Sequence, residues 1–487
     1  MMPGKKFAPS LDLPIMLDRT APTSIYRQLC EQLRRAILDG RVSGGTRLPS
    51  TRTLAQALGV SRTVTSSAYD ELFAEGYLEG RHGSGTYVRT DLPPLPRQTP
   101  SLPNTLPRWL EKAPPLVYEA SIPPQAIAFR LGIPSLSSLP LRVWRETWGT
   151  VTARLPPNSH GPTDGDPTLR AELATYLGRS RGLACTPENI LITAGATHAL
   201  DLVVRATLSV GDCVGMEEPG YPSAQQTVLA RGGRLLLVPV DENGMQVERL
   251  PHGPAAPLLV YTTPSHQYPL GTRLAVDRRL ALLAWAQAND SLIIEDDYDS
   301  EFRFDALPLP ALASLDEVGR VAYIGTFSKV LTPALRVGYL VAPPQLCERI
   351  RQLTYLTDEQ VSWPLQQMLA DFIARGHLDR HIRHMRYQYA QKRRIVAQTL
   401  APIAHLARLR GLEAGLHVYL ELEASISATR VAHLARQRNV IVTPLDPYYL
   451  GPPDRSGLLL GYASLEIPEI LQGMTVLREI IARVADL

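Results

Sequence analysis

The sequence predicts two folding units in one chain, a small α+β head and a larger α/β domain built on a mostly parallel sheet. Helical periodicity and Gly-containing turns fill residues 24–90, and ten prolines crowd residues 91–125. Beyond them, short apolar runs alternate with longer amphipathic ones. A chain of 487 residues is too long for one hydrophobic core, which agrees with such a division.

The head comes first. Ile25, Leu29, Leu33 and Ile37 recur at helical spacing, so Ser24 to Leu38 reads as an amphipathic helix ended by Asp39-Gly40. A short helix follows from Thr51 to Leu58. Gly59 suits a left-handed turn, Val60 is free to point inward, and Ser61 is a natural N-cap for a third helix reaching about Glu75. Helix, Gly turn, helix is the pattern that places a polar helix start in a major groove. Arg62-Thr63-Val64-Thr65 is that start, and Tyr69 and Leu72 should face inward. Tyr77 to Val88 reads as two strands around a Gly-rich tip that carries Arg81 and His82. A small bundle whose hairpin docks on protein is the alternative.

Charge distribution agrees with a polyanionic partner. The whole chain carries +3, yet residues 1–90 hold two Lys and ten Arg against four Asp and four Glu, a net +4. The bulk composition, 45% hydrophobic and 20% charged, is that of a globular protein. No apolar run reaches bilayer length, and Met1 to Asp12 has no apolar core after its two lysines, so no secretory signal is expected. Cys30, Cys185, Cys213 and Cys347 form no C-x-x-C pair. That spacing argues against a structural zinc, and no metal is expected; reduced thiols suit a cytoplasmic location.

The stretch from Leu48-Pro49-Ser50-Thr51-Arg52 through Leu58-Gly59-Val60-Ser61-Arg62-Thr63 to Gly83-Ser84-Gly85-Thr86 is similar to the winged helix-turn-helix of the GntR superfamily, over residues 17–90. The resemblance implies DNA contacts from Arg52, Arg62, Thr63 and Thr65, and from His82 and Gly83 at the wing tip.

Residues 91–125 are too rich in proline for helix or sheet and read as a semi-rigid linker, with Trp109, Leu110 and Leu116 as apolar interruptions. Strands are expected at 190–193, 213–216, 234–240, 258–261, 291–295 and 320–325, with helices between them at 196–208, 223–230 and 276–288. From residue 345 the pattern turns more helical, with strands at 418–422 and 458–462, as in a separate α+β part.

The chemistry gathers at strand ends. Tyr323-Ile324-Gly325-Thr326-Phe327-Ser328-Lys329 is a strand and a small-residue turn that presents a lysine. A held amine forms a Schiff base with an aldehyde. The hydroxyls of Thr326 and Ser328 and the guanidinium of Arg336 suit a phosphate beside it. Aldehyde and phosphate together describe pyridoxal phosphate. Ser291 to Tyr298 is an apolar strand delivering Glu295, Asp296 and Asp297 at its C-terminal end, where open α/β sheets place ligands. A carboxylate there holds a pyridine nitrogen protonated, although such residues also serve as metal ligands or helix caps. Tyr298 is placed to reach a ring hydroxyl. Thr193-Ala194-Gly195-Ala196-Thr197 opens a helix with small residues, which suits a phosphate, and Tyr221 in Glu218-Pro219-Gly220-Tyr221-Pro222 suits stacking or plain turn packing.

In this order the motifs resemble the fold-type I, class I aminotransferase family across residues 126–487, with a large part at about 160–350 and a small part at about 351–487. The resemblance implies that Lys329 is the Schiff-base lysine, Asp296 the partner of the pyridine nitrogen, Tyr298 the neighbour of the ring oxygen and Tyr221 the stacking ring. It makes Gly195, Ala196, Thr197, Thr326, Ser328 and Arg336 the phosphate cup. Three departures stand out. Tyr268 replaces the family's asparagine before Pro269, and His160 stands where a tyrosine reaches the partner subunit's phosphate. Leu459 lies where an arginine clamps a substrate carboxylate, leaving His417 or a shifted arginine as substitutes.

Head, linker and aminotransferase-like domain together resemble the MocR subgroup of GntR regulators. The resemblance implies a homodimeric, pyridoxal phosphate-binding transcription factor on an operator with two half-sites. Its effector would be pyridoxal phosphate itself, in control of vitamin B6 synthesis, or an amine or amino acid acting through the Schiff base. A working aminotransferase with a vestigial head is the rival expectation.

Overall fold

The computed structural model describes residues 14–81, 84–91, 122–304, 310–357 and 359–486. Most of the proline-rich stretch, with Trp109, Leu110 and Leu116, lies outside them, as do His82 and Gly83. The chain divides into two compact units, Met1–Ala113 and Pro114–Leu487.

In the first unit, helices Ile25–Leu38, Thr51–Leu58 and Arg62–Ala74 precede an antiparallel hairpin of Leu78–Arg81 and Gly85–Val88. Gly59 ends the second helix at φ 64°, a left-handed conformation that costs a glycine nothing. Ser61 Oγ accepts from the Val64 N–H at 3.4 Å, capping the third helix. Leu29, Leu33, Leu54, Ala68, Tyr69, Leu72, Leu78 and Val88 close one apolar core, and the Tyr69 hydroxyl donates to the Pro49 carbonyl at 3.0 Å. Val60 is only partly covered, and its N–H is taken by the Ala55 carbonyl.

The second unit is built on a sheet whose described strands run, edge to edge, Ile190–Thr193, Gly338–Val341, Val321–Thr326, Leu292–Asp297, Leu259–Thr262, Cys213–Glu218, Arg234–Asp241 and Gly244–Met245. The strands from Val321–Thr326 to Arg234–Asp241 are all parallel. Gly338–Val341 is the exception inside the sheet, antiparallel to both neighbours. The reading by alternation has no strand there. Helices Ala196–Thr207, Pro222–Ala230 and Pro344–Tyr355 bury their apolar stripes on one face, and Val276–Ala288 covers part of the other.

The C-terminal part is an antiparallel sheet of Ala407–Arg410, His417–Leu422, Gly457–Gly461 and Thr443–Pro444. Helices Ala428–Gln437 and Ile467–Ala485 pack near it, and the long helix His377–Leu400 packs on Ile467–Ala485. The arrangement is the expected multidomain one: an α+β head and an α/β domain with an α+β end.

Candidate cofactor site and nucleic-acid interface

Strand Leu292–Asp297 puts three consecutive carboxylates at its C-terminal end, and the alternation of side chains separates them. Glu295 accepts from the Leu312 and Ala313 N–H groups at 2.8 Å each, so it holds a turn. Asp297 faces the same way and is engaged by Arg181 at 2.5 Å and by the Tyr323 hydroxyl at 2.6 Å. Asp296 points to the other face. Its Oδ2 accepts from the Tyr261 hydroxyl at 2.7 Å, while its buried Oδ1 has no hydrogen-bond partner. A buried carboxylate oxygen left unmatched is costly and marks a place for a donor. Burial pushes the Asp296 carboxyl up to about 6, against the pull of the Tyr261 hydroxyl.

Lys329 follows the neighbouring strand. It is half-buried, and its Nζ donates to the Gly132 carbonyl at 3.0 Å. A side chain at Gly132, whose φ is 64°, would lie 2.6 Å from that amine, so glycine keeps the space open. Burial lowers the lysine's pKa, opposed by Asp299 and Asp296, and favours the neutral, nucleophilic amine.

The residues expected to form the phosphate cup come from three segments. Gly195 turns at φ 101° into helix Ala196–Thr207, whose first turn carries Ala196 and Thr197, where a helix leaves its backbone N–H groups without intrahelical partners. The Arg336 guanidinium donates to the Ala194 carbonyl at 3.0 Å. It also lies 3.3 Å from where a Gly195 Cβ would stand. Thr326 Oγ1 donates to Ser328 Oγ at 3.0 Å. Gly338 lets these segments close up: a Cβ there would be 2.9 Å from both Gly195 Cα and the Gly325 carbonyl oxygen. These three segments thus meet beside the amine's strand, and the buried Asp296 oxygen lies on the next one. The residues present fit pyridoxal phosphate.

Aromatic rings line the same region. Tyr221 meets Tyr268 edge-on at 5.4 Å, and Tyr268 meets Tyr298 at 5.6 Å. The Tyr298 hydroxyl lies 2.9 Å from His266 Nδ1, which is also 2.9 Å from Asp299 Oδ1. The sequence alone assigns no role to His266, Asp299 or Glu217. Buried Glu217 accepts from the hydroxyls of Thr262 and Thr263 at 2.6 and 2.7 Å and so fixes the loop that leads to His266.

His417 does not replace the missing arginine. It is buried, its Nε2 donates to the Pro269 carbonyl at 3.0 Å, and burial beside His266 pushes its pKa down to about 4. A neutral ring is a weak carboxylate clamp. Leu459 is fully buried in a cluster with Val240, Leu270, Tyr419 and Leu445. His160 is largely exposed and pairs with Glu359, so within this chain it does not join the pocket.

In the head, Arg52, Arg62 and Thr63 are exposed at the starts of the second and third helices. Thr65 is a correction. It is fully buried, and its hydroxyl donates to the Thr51 carbonyl at 2.8 Å and the Arg62 carbonyl at 3.0 Å. One turn into the helix, it faces the preceding helix rather than a groove. The expected contacts at His82 and Gly83 lie outside the described residues.

Comparison with known proteins gives the same division. Residues 25–88 match the family of bacterial regulatory proteins, gntR family, and residues 131–459 match aminotransferase class I and II, a fold family that binds pyridoxal phosphate. The chain is 37% identical to the probable rhizopine catabolism regulatory protein MocR of Rhizobium meliloti, covering 95% of each chain. It is 39% identical to the pyridoxine biosynthesis transcriptional regulator PdxR of Corynebacterium glutamicum, covering 93% of this chain and 95% of that one. Among solved structures, the kynurenine aminotransferase of Pyrococcus horikoshii superposes with a TM-score of 0.68 at 27% identity, over 74% of this chain and 91% of that one. With a GntR-type head, an aminotransferase domain and relatives matched along nearly their whole length, the chain belongs to the MocR-type GntR family of bacterial transcriptional regulators.

Proposed function

We propose that this regulator binds pyridoxal phosphate through Lys329, Asp296 and the cradle around Gly195, Thr326, Ser328 and Arg336, and that its occupancy sets the affinity of a homodimer for DNA. The observation that carries the reading is the Asp296 oxygen, buried without a partner while Glu295 and Asp297 are both engaged. When bound, the cofactor supplies an aldehyde for the amine and a ring that draws electrons. Asp296 pairs with the ring nitrogen, Tyr298 and Tyr221 orient the ring, and burial keeps Lys329 ready to attack. Residues 17–90 serve as the reader, 91–125 as the tether and 126–487 as the sensing and pairing module. Two half-sites bound at once gain effective concentration, which is the physical reason for a dimer.

The ligand sensed is pyridoxal phosphate itself. An apolar Leu459 and a neutral His417 leave those two positions without a charged fork for an amino acid's carboxylate. The relative that regulates pyridoxine biosynthesis agrees with this choice. Footprinting on the adjoining promoter with and without added pyridoxal phosphate tests it. Protection that changes with the cofactor alone supports the reading. Protection that ignores the cofactor and changes with an amine or amino acid replaces it with an amine-responsive regulator. Rapid turnover of common amino acids with no specific footprint would mean a working aminotransferase.

A further inference from the structure

A second cleft, of about 810 Å³, opens between residues 265–279 of the large part and 409–421 of the C-terminal part. Lys329, Asp296, Tyr298, Tyr268 and Tyr221 take no part in its lining. Its size is that of a small-molecule site. Three of its wall residues carry buried polar atoms with no hydrogen-bond partner: His266 Nε2, Thr272 Oγ1 and Arg303 Nε. Donors and acceptors abandoned together around one cavity are rare unless something fills it.

The charge of the cleft states what that occupant is. Five arginines and three glutamates line it. Arg303 is the one that is both buried and poorly matched. Its side chain is 10% exposed, and its ion pair to Glu413 stretches to 3.5 Å, with that carboxylate two-thirds exposed and 3.6 Å from Arg273 as well. Arg279 instead donates to the Leu274, Pro264 and Pro310 carbonyls, and Arg410 holds Glu421 at 2.9 Å. A buried fork with an idle N–H in the same cleft wall as an unmatched threonine hydroxyl suits an oxyanion.

The cleft also touches the cofactor pocket through one residue. Gly271 and Gly411 meet in its wall; a Cβ on Gly271 would stand 2.6 Å from Gly411 Cα and 3.0 Å from His266 Nε2. The same ring's Nδ1 reaches Tyr298 and Asp299 on the other side.

We propose that this cleft is a second small-molecule site, taking a carboxylate- or phosphate-bearing ligand on Arg303 and Thr272, and that its occupancy reaches the cofactor pocket through His266. The site stands by itself; the coupling rests on the cofactor reading above.

Titration calorimetry on the full-length protein at constant ionic strength tests the site, with inorganic phosphate in one arm and succinate in the other. Saturable binding of either is expected. Arg303→Gln should weaken it by about tenfold or more, since a charge-assisted fork is lost. Thr272→Val should weaken it less, and Arg336→Ala, altered in the cofactor cradle, should leave the component that Arg303→Gln weakens unchanged. No saturable binding of either anion would overturn the site, as would affinity that survives both Arg303→Gln and Thr272→Val. Binding lost in Arg336→Ala instead would place the anion in the cofactor cradle and overturn it too. For the coupling, the anion that binds is added to cofactor-loaded protein. A shift of the visible absorbance band is expected, and an unmoved band at saturation refutes the link through His266. A protein that binds the anion but never shows a visible band keeps the cleft and refutes the cofactor reading.

Discussion

In the head, Arg52, Arg62 and Thr63 stand in solvent in front of a closed apolar core, whereas in the α/β domain Asp296, Thr326, Ser328 and Tyr298 are buried. The two halves would meet their proposed partners by different physics. A duplex is a polyanion that arrives at an open surface, so exposed cations and helix starts are enough, and salt competes with them. A heterocycle enters a pocket, where each polar atom is either matched or costly. The difference teaches where single residues matter. Losses in the pocket should be large and local; losses at the reader should be smaller and shared.

The sharpest break comes from Lys329→Ala. It should abolish the visible band of protein incubated with pyridoxal phosphate and leave no borohydride-fixed label, while the fold, read by circular dichroism, persists. Asp296→Ala comes next. Removing one partner of a buried charge pair should weaken cofactor binding by about 2–5 kcal/mol, measured by fluorescence titration. The pH dependence sharpens the same point. Below about pH 6 the empty pocket's carboxyl holds its proton, yet pairing with a charged ring nitrogen needs it ionised. Affinity in the wild type should therefore fall as pH drops through that value, by up to about tenfold per unit. In Asp296→Asn that component should be gone.

The reader's effects are smaller. Arg62→Ala should cost about 1–3 kcal/mol of specific binding if the guanidinium meets a base, seen by gel shift against a scrambled operator. An equal loss on both sequences with a shallower salt slope would mean a phosphate contact. Thr65→Val should be the mildest at the duplex. It removes one hydroxyl donor shared between the Thr51 and Arg62 carbonyls, so the head should lose about 1 kcal/mol of stability with its salt slope unchanged.

These contrasts also explain what was readable from residues alone. The head's helices and hairpin were legible because caps, turns and periodicity are local. The parallel strands were legible as apolar runs between amphipathic ones. Gly338–Val341 was not, because four residues directly after Arg336 carry no crossover helix to announce a strand, and its antiparallel pairing depends on partners far along the chain. Thr65 looked like its polar neighbours, and only the packing of two helices turned it inward. Among the three carboxylates, alternation alone separates Asp296 from its neighbours. Which side is occupied depends on Arg181, more than a hundred residues away. His266 had no readable role for the same reason: its meaning comes from Asp299, Tyr298 and the glycines around it.

The reversed strand has one more effect. Because the chain doubles straight back from Thr326 to Gly338, the amine and the guanidinium belong to a single short connection between adjacent strands. A molecule gripping both would act as a clasp across that connection. Loading should then be visible as slowed amide exchange over residues 327–337, a report that reads the grip mechanically rather than by colour.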